Sequence, residues 1–236
     1  IAEKGLIFEP IGRNTAPCIL LALARLQAEG AKDEDVVSIV PSDHVILNTA
    51  GFQETLQKAY EIAAQKQSIV TIGIQPHFPH TGFGYIEKGE EGTQGSFRVR
   101  AFKEKPDFET AKSYLESGNY YWNAGMFVAG LGTMKNEFKQ HAPDMYEHYD
   151  KLLELEKDPE KRHSEELKEV YENLRKDSID YAVMEKTHAI RVVPADFDWN
   201  DLGSWDALES VIESTEGNTV VSSNGHQFRQ ASGNIV

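Results

Sequence analysis

Apolar positions along the chain follow two rhythms. From Thr15 to Gly30, Ile19, Leu20, Leu23 and Leu26 recur at helical spacing, with Thr15 placed as N-cap, Pro17 in the first turn and Gly30 as the stop. Val36 to Val40 is a short apolar run ended by Pro41, the pattern of a buried strand with a loop at its carboxyl end. Gly51 to Gln67 returns to helical spacing, and "SIVTIGI" (68–74) reads as a second buried strand. This alternation predicts a parallel sheet covered by helices on both faces.

The middle of the chain changes character. "TGFGYIEKG" and "GSFRVRAFKEKP" predict two strands around a polar turn, with Phe97, Val99 and Ala101 inward and Arg98 and Arg100 outward. "FETAKSYLESG" predicts a short helix ended by Gly118. "YYWNAGMFVAG" predicts a loop running into a central strand, and a helical block follows from Thr133 to Lys176, broken near Pro143 and Pro159. "SIDYAVMEKT" predicts a short helix, "AIRVVPAD" a strand, and "SWDALESVIES" a helix capped by Ser204. Beyond Asn218 come short strands and Gly/Asn turns, so a domain boundary is expected near Glu216, dividing 1–216 from 217–236.

Composition narrows the function classes. Of 236 residues 40% are hydrophobic and 26% charged, which suits a folded globular chain. A net charge of -14 repels nucleic-acid phosphates, and no apolar run is long enough to cross a bilayer. The acidic stretch 146–176 reads as a solvated helical face. One cysteine, Cys18, excludes an intrachain disulfide and suits the cytoplasm; its apolar neighbours make it a core residue rather than a nucleophile.

Four polar clusters fall at expected strand ends, where open α/β sheets bind ligands. In "VPSDHV", Asp43 can hold a hard cation such as Mg²⁺, or it belongs to an ordinary Pro-Ser-Asp turn. In "FDWNDLGSW", Asp201 or Asp198 can supply a second carboxylate, with Trp199 and Trp205 anchoring the loop in either case. In "FKEKP", Lys105 suits a phosphate and Glu104 a sugar hydroxyl, against a solvated pair. In "YWNAGM", Asn123 both donates and accepts, and "TGFGY" adds backbone-lined space around Gly82 and Gly84, against glycines of a plain turn. "PHFPH" brings His77 and His80 together without a third ligand, so it reads as loop surface, not zinc.

Taken in order, "EPIGRNTAP", "VPSDH", "TGFGYIE", "FKEKP", "YYWNAGMF", "SIDYAVMEK" and "DWNDLGSW" resemble the bacterial mannose-1-phosphate guanylyltransferases, the GDP-mannose pyrophosphorylases of the ManC/AlgA type. The resemblance runs from Phe8 to Glu209. It implies a Rossmann-like nucleotidyltransferase α/β fold, a mixed sheet flanked by helices, followed by the start of a small β-helix-like domain. It implies transfer of GMP from GTP to mannose 1-phosphate, with Mg²⁺, giving GDP-mannose; a homodimer is a possible assembly. By resemblance, Asp43 and Asp201 hold the metal, Lys105 contacts the sugar phosphate, and Glu104, Asn123 and Gly82 meet the mannose. Arg13, Asn14, Thr15 and Pro17 lie on the guanine side, and Ser42 joins the substrate contacts. The glycine-rich, Arg- and Lys-bearing signature that precedes "FEPIGRNTAP" in that family is not among these residues, so the activity is expected of the parent protein. The alternatives are another sugar-1-phosphate nucleotidyltransferase or a non-catalytic sugar-nucleotide-binding domain.

Overall fold

Helix α1, Thr15–Ala28, begins where Asn14 turns the chain with φ 70° and its side chain accepts a hydrogen bond from the Thr15 N–H at 2.8 Å. Asn14, not Thr15, is therefore the cap; the Thr15 hydroxyl is engaged elsewhere, accepting from the Ile179 N–H at 2.9 Å. The computed structural model describes residues 5–212, 214–215, 217–219, 232–233 and 235. Most of the expected β-helix-like segment 217–236 lies outside them.

Strands β1 (Val36–Ile39), β2 (Ile69–Ile74), β3 (Tyr85–Glu91), β4 (Phe97–Lys103), β5 (Tyr120–Gly130) and β6 (Ile190–Pro194) form one sheet in the order β1-β5-β2-β6-β4-β3. The sheet is mixed, and this corrects the parallel expectation. Only β2 and β6 pair in parallel; β5 runs antiparallel to β1, β2 and β3, and β4 antiparallel to β3 and β6. β1 and β2 do point the same way, but β5 is inserted between them. β1 is consequently an edge strand, half-buried throughout, whereas all six residues of β2 are buried. β4 alternates as expected, with Arg98 and Arg100 outward.

"YYWNAGMFVAG" is strand from end to end, not a loop leading into one. It bulges midway: Thr71 and Gly73 of β2 face Phe127 and Asn123, so two steps of β2 are matched by four of β5. Gly125, within the bulge, takes φ 67°.

Helices cover both faces. On one, α1 packs with α4 (Leu131–His141), α5 (Pro143–Tyr146), α6 (Tyr149–Lys157) and α7 (Glu165–Asn173), burying Leu20, Leu23, Phe138, Leu152 and Tyr171 with Ile69 and Val192. On the other, α2 (Thr49–Lys66) and α3 (Phe108–Ser117) cover Val70, Ile72, Trp122 and Val193. Each fully buried aliphatic side chain contributes roughly 1.5–3 kcal/mol. Pro143 opens α5, and Pro159 follows the end of α6 at Asp158, as expected of helix breakers. "SIDYAVMEKT" folds into a single π-helical turn, Asp180–Met184. Trp205–Ser210 is a 3₁₀ turn without a side-chain cap from Ser204. Strands β7 (Ser214–Thr215) and β8 (Asn218–Thr219) form a minimal hairpin. Cys18 is exposed on α1, against the core expectation; partial burial and neighbouring Glu9 push its thiol up to about 11, which leaves it protonated and unreactive.

Candidate active site

The loop after β1 and the loop after β6 meet. Val45 and Asn200 form an isolated antiparallel bridge, with Val45 N–H donating to the Asn200 carbonyl at 2.8 Å and Asn200 N–H returning at 3.1 Å. In that register His44 and Asp43 lie opposite Asp201 and Leu202. Burial holds the His44 imidazole below its ordinary value, while the charges of Asp43 and Asp201 both pull it upward. Trp199 Nε1–H donates to His44 Nδ1 at 3.0 Å, so Trp199 braces both loops.

The neighbouring acids differ in what they bond. Asp198 accepts from the N–H groups of Leu47 (2.8 Å) and Asn48 (2.6 Å) just before α2. Burial alone would raise its carboxyl; these backbone donors outweigh it and hold it below the usual range. Asp198 therefore ties the loop down, and Asp201 is the acid turned to the site. Gly203 N–H donates to Asp201 Oδ1 at 3.1 Å, and a side chain at Gly203 would press on that carboxylate. Trp205 does not anchor the loop as expected: it is 78% exposed.

Asp201 opens on a cavity of about 520 Å³ lined by His77, Phe78, His80, Phe83, Trp122 and Trp199, with Gly82 and Gly203 at its wall. Trp122 is its centre: His77 and Phe78 stand edge-on at 5.0 Å and Phe83 at 5.1 Å. The Trp122 indole N–H is buried and unpartnered among the described residues. "PHFPH" is thus the rim of a cavity rather than plain loop surface. Its contact with Trp122 depends on β5 lying beside β2, which no local pattern announces.

A second polar cluster sits on the residue next to Trp122. Asn123 donates through Nδ2 to Asp180 Oδ1 at 3.0 Å, and its Oδ1 accepts from Gly125 N–H at 3.0 Å. Glu104 faces Asp180, and its N–H donates to Glu185 Oε1 at 3.0 Å. Burial, then the Asp180 charge, pushes the Glu104 carboxyl up to about 7. Among the described residues its Oε2 is buried without a partner, and a Cβ on Gly84 would overlap it. Burial likewise pushes Asp180 up. Lys105, exposed at φ 47°, holds Nζ 3.9 Å from Glu104 Oε1. Asp180 and Glu185 belong to this cluster and were not singled out in the sequence. The signal available was their place in "SIDYAVMEK", which carries part of the family resemblance and otherwise reads as a short helix.

The sequence-selected residues therefore divide. Asp201 and Gly82 line the aromatic cavity; Asp43 does not line it but lies on the bridged loop opposite Leu202, exposed like Ser42 beside it; Glu104, Lys105 and Asn123 form the adjoining cluster. Arg13, Asn14, Thr15 and Pro17 do not line the cavity. Arg13 Nη2 donates to the Glu172 carbonyl, Pro17 is buried, and the segment is tied to the stretch before Asp180 by the Ala16 N–H donating to the Asp177 carbonyl at 3.2 Å and by Thr15 accepting from the Ile179 N–H. Among the described residues no three His, Cys, Asp or Glu side chains are grouped to hold a metal. Two carboxylates that leave most positions to water and phosphate do fit a hard cation such as Mg²⁺.

Among the described residues no helix is long and apolar enough to cross a membrane. Comparisons with known proteins agree with the fold. The model of the nucleotidyl transferase family matches residues 3–218. The chain is 38% identical over 220 residues to mannose-1-phosphate guanylyltransferase of Escherichia coli and 39% identical over 217 residues to the alginate biosynthesis protein AlgA of Pseudomonas aeruginosa. Those alignments cover 91% and 89% of this chain but 46% and 44% of the two relatives, so the chain spans less than half of their length. A solved structure from Thermus thermophilus, described as a mannose-1-phosphate geranyltransferase, is similar at TM-score 0.81 and 36% identity, covering 92% of this chain and 61% of that one. With its family match spanning nearly the whole described fold, the chain belongs to the nucleotidyl transferase family.

Proposed function

We propose that the protein carrying this chain transfers GMP from GTP to α-D-mannose 1-phosphate, giving GDP-mannose and pyrophosphate, with residues 1–216 as the nucleotidyltransferase unit and 217–236 opening a further module. The family match over residues 3–218 supports the division, and relatives with that activity at about 40% identity support the reaction. The observation that supports the site is the Val45–Asn200 bridge, which joins the loop bearing Asp43 to the loop bearing Asp201, the acid that lines the aromatic cavity.

In this reading an oxygen of the sugar phosphate forms a bond to the α-phosphorus of GTP as the bond to pyrophosphate breaks. The protein's work is positioning and charge compensation. Lys105, exposed at the surface, offsets the repulsion between the two phosphate groups. Glu104 and Asn123 take sugar hydroxyls; the buried, unpartnered Glu104 oxygen is an acceptor waiting for one. Trp122 and its aromatic neighbours exclude water beside the reacting groups. A Mg²⁺ held by Asp43 and Asp201 would supply further neutralisation of the phosphates. The reaction is placed in the cytoplasm, where a lone protonated thiol needs no oxidising partner.

The test is pyrophosphate release by the full-length protein with GTP, mannose 1-phosphate and Mg²⁺. Asp201→Asn and Asp43→Asn should each lower turnover by on the order of a hundredfold or more while the circular dichroism spectrum is unchanged. Near-normal turnover in either variant would refute the assignment. Faster turnover with another nucleoside triphosphate would move the base specificity but leave the reaction class.

A further inference from the structure

Two arginines face each other across β4 and β6: Arg98 is paired with Arg191 in the antiparallel register. Like charges placed directly opposite on paired strands repel. Nothing in the described structure compensates them, since neither makes an ion pair with a carboxylate there. They line a notch of about 300 Å³ at the amino ends of β2 and β6, completed by Lys66, Gln67, Ser68 and His188. No acidic residue lines it, in a chain whose net charge is -14.

Two residues that line the notch hold unused donors. Among the described residues Ser68, 6% exposed, has a buried hydroxyl without a partner, and so does Arg191 at Nη1, which lies against Gly92 just beyond the notch. A donor left buried and unsatisfied is costly, so the Ser68 hydroxyl in a concave site beside an uncompensated arginine pair calls for an acceptor. The nearby carboxylate of Glu61 on α2 already accepts from Gln57 (2.9 Å) and Gln94 (2.7 Å). The carbonyl end of α2 disfavours an anion, but Lys66 in its last turn offsets that. The notch lies at the opposite end of β2 and β6 from Asp201, roughly 17 Å away along the six residues of β2.

We infer that this notch is a second anion site, built to take a phosphoryl group of a small molecule through Arg98, Arg191, Ser68 and Lys66. An arginine fork and a hydroxyl suit the tetrahedral oxygens of phosphate. The volume is that of a small ligand site, larger than a bare anion needs.

Thermal shift and calorimetric titration of the protein with inorganic phosphate, at fixed ionic strength against chloride, test this. Phosphate should raise the melting temperature of the native chain beyond chloride. Arg191→Gln and Arg98→Gln should each weaken phosphate binding about tenfold or more. Arg98→Gln, by relieving the pair, should also melt higher than the native chain in chloride, a change that mere misfolding would not give. A glycerol 3-phosphate arm assigns the source: tighter binding than inorganic phosphate means a phosphomonoester ligand, equal binding means the free ion, and both uphold the site. Phosphate stabilisation that survives both arginine substitutions, or is lost instead on Asp201→Asn, would overturn it. Because the readout is binding at the far end of the sheet, failure here leaves the proposed reaction untouched.

Discussion

Glu104 keeps a carboxyl where water reaches only in part and Asp180 adds a like charge, so its proton is held up to about 7 against an ordinary 4.5. The sign follows from linkage. Between those values the folded chain retains a proton that the unfolded chain has released. Glu104's contribution to stability is therefore whole below pH 4.5, falls as pH rises toward 7, and is lost above it. Glu104→Gln should stabilise the ligand-free protein at pH 8 by about 1 kcal/mol, after allowing for solvent screening, and have almost no effect at pH 4.5. Urea unfolding at the two pH values measures it; an equal effect at both would show that the carboxyl is not strained. The same substitution should weaken sugar binding, the usual exchange of activity for stability at a site. "FKEKP" disclosed Glu104 and Lys105 because a cation and a carboxylate after a strand are visible in one dimension. It did not disclose the strain, which comes first from burial in the fold and then from Asp180, far along the chain. Asp198 and Asp201 make the same point. Three residues apart and chemically identical, they are told apart only by the Leu47 and Asn48 N–H groups. Asp198→Ala should accordingly cost about 2 kcal/mol of stability, whereas Asp201→Asn should cost little.

Helices α1 and α6 are joined through a buried ion pair, Arg25 with Glu156, at 5% and 1% exposure. Arg162 adds a hydrogen bond from Nε to the Glu156 carbonyl at 2.9 Å. Removing one partner leaves a desolvated charge, so Glu156→Ala should cost about 3 kcal/mol in urea unfolding. The Arg25→Met, Glu156→Met double substitution should cost less than the single one, because no charge is then stranded. If the double variant is worse, packing rather than charge holds the helices together. Element by element, the helical spacing of α1, α2 and α3 and the Gly118 stop were legible because a solvated helix must alternate faces. Strand pairing was not. A strand covered on both sides is apolar whether its neighbours run with it or against it, so the pattern revealed the burial of β2 and the shared direction of β1 and β2 but not β5 between them, nor that β1 is a half-buried edge. β5 itself was half hidden, since Asn123 and Gly125 break its apolar run at the bulge that shapes the site.

On the scale of the molecule, the order of polar clusters along the chain indicated one rim at the carboxyl ends of β1, β2 and β6, and the loops do meet there. The aromatic wall was not legible, because "PHFPH" becomes a wall only when the sheet brings Trp122 beneath it. The three tryptophans now provide a test of where ligand enters. Trp122 and Trp199 face the cavity at its floor and side, while Trp205 stands 78% exposed outside it. A sugar nucleotide seated in the cavity must change the surroundings of the first two indoles and leave the third in water. GDP-mannose titrated into the native protein should therefore change the tryptophan emission. Trp205→Phe should preserve that change almost whole, and Trp199→Phe should remove a large part of it. Trp122 is less suited to the test, because its 2% exposure makes it a core residue whose loss would damage the fold. Trp199→Phe also removes the hydrogen bond to His44, so a weakened titration should come with a rise of about one order in the dissociation constant. If instead the signal vanishes with Trp205→Phe and survives Trp199→Phe, the ligand lies against the outer 3₁₀ turn, and the cavity between the two bridged loops is not where the nucleotide sits.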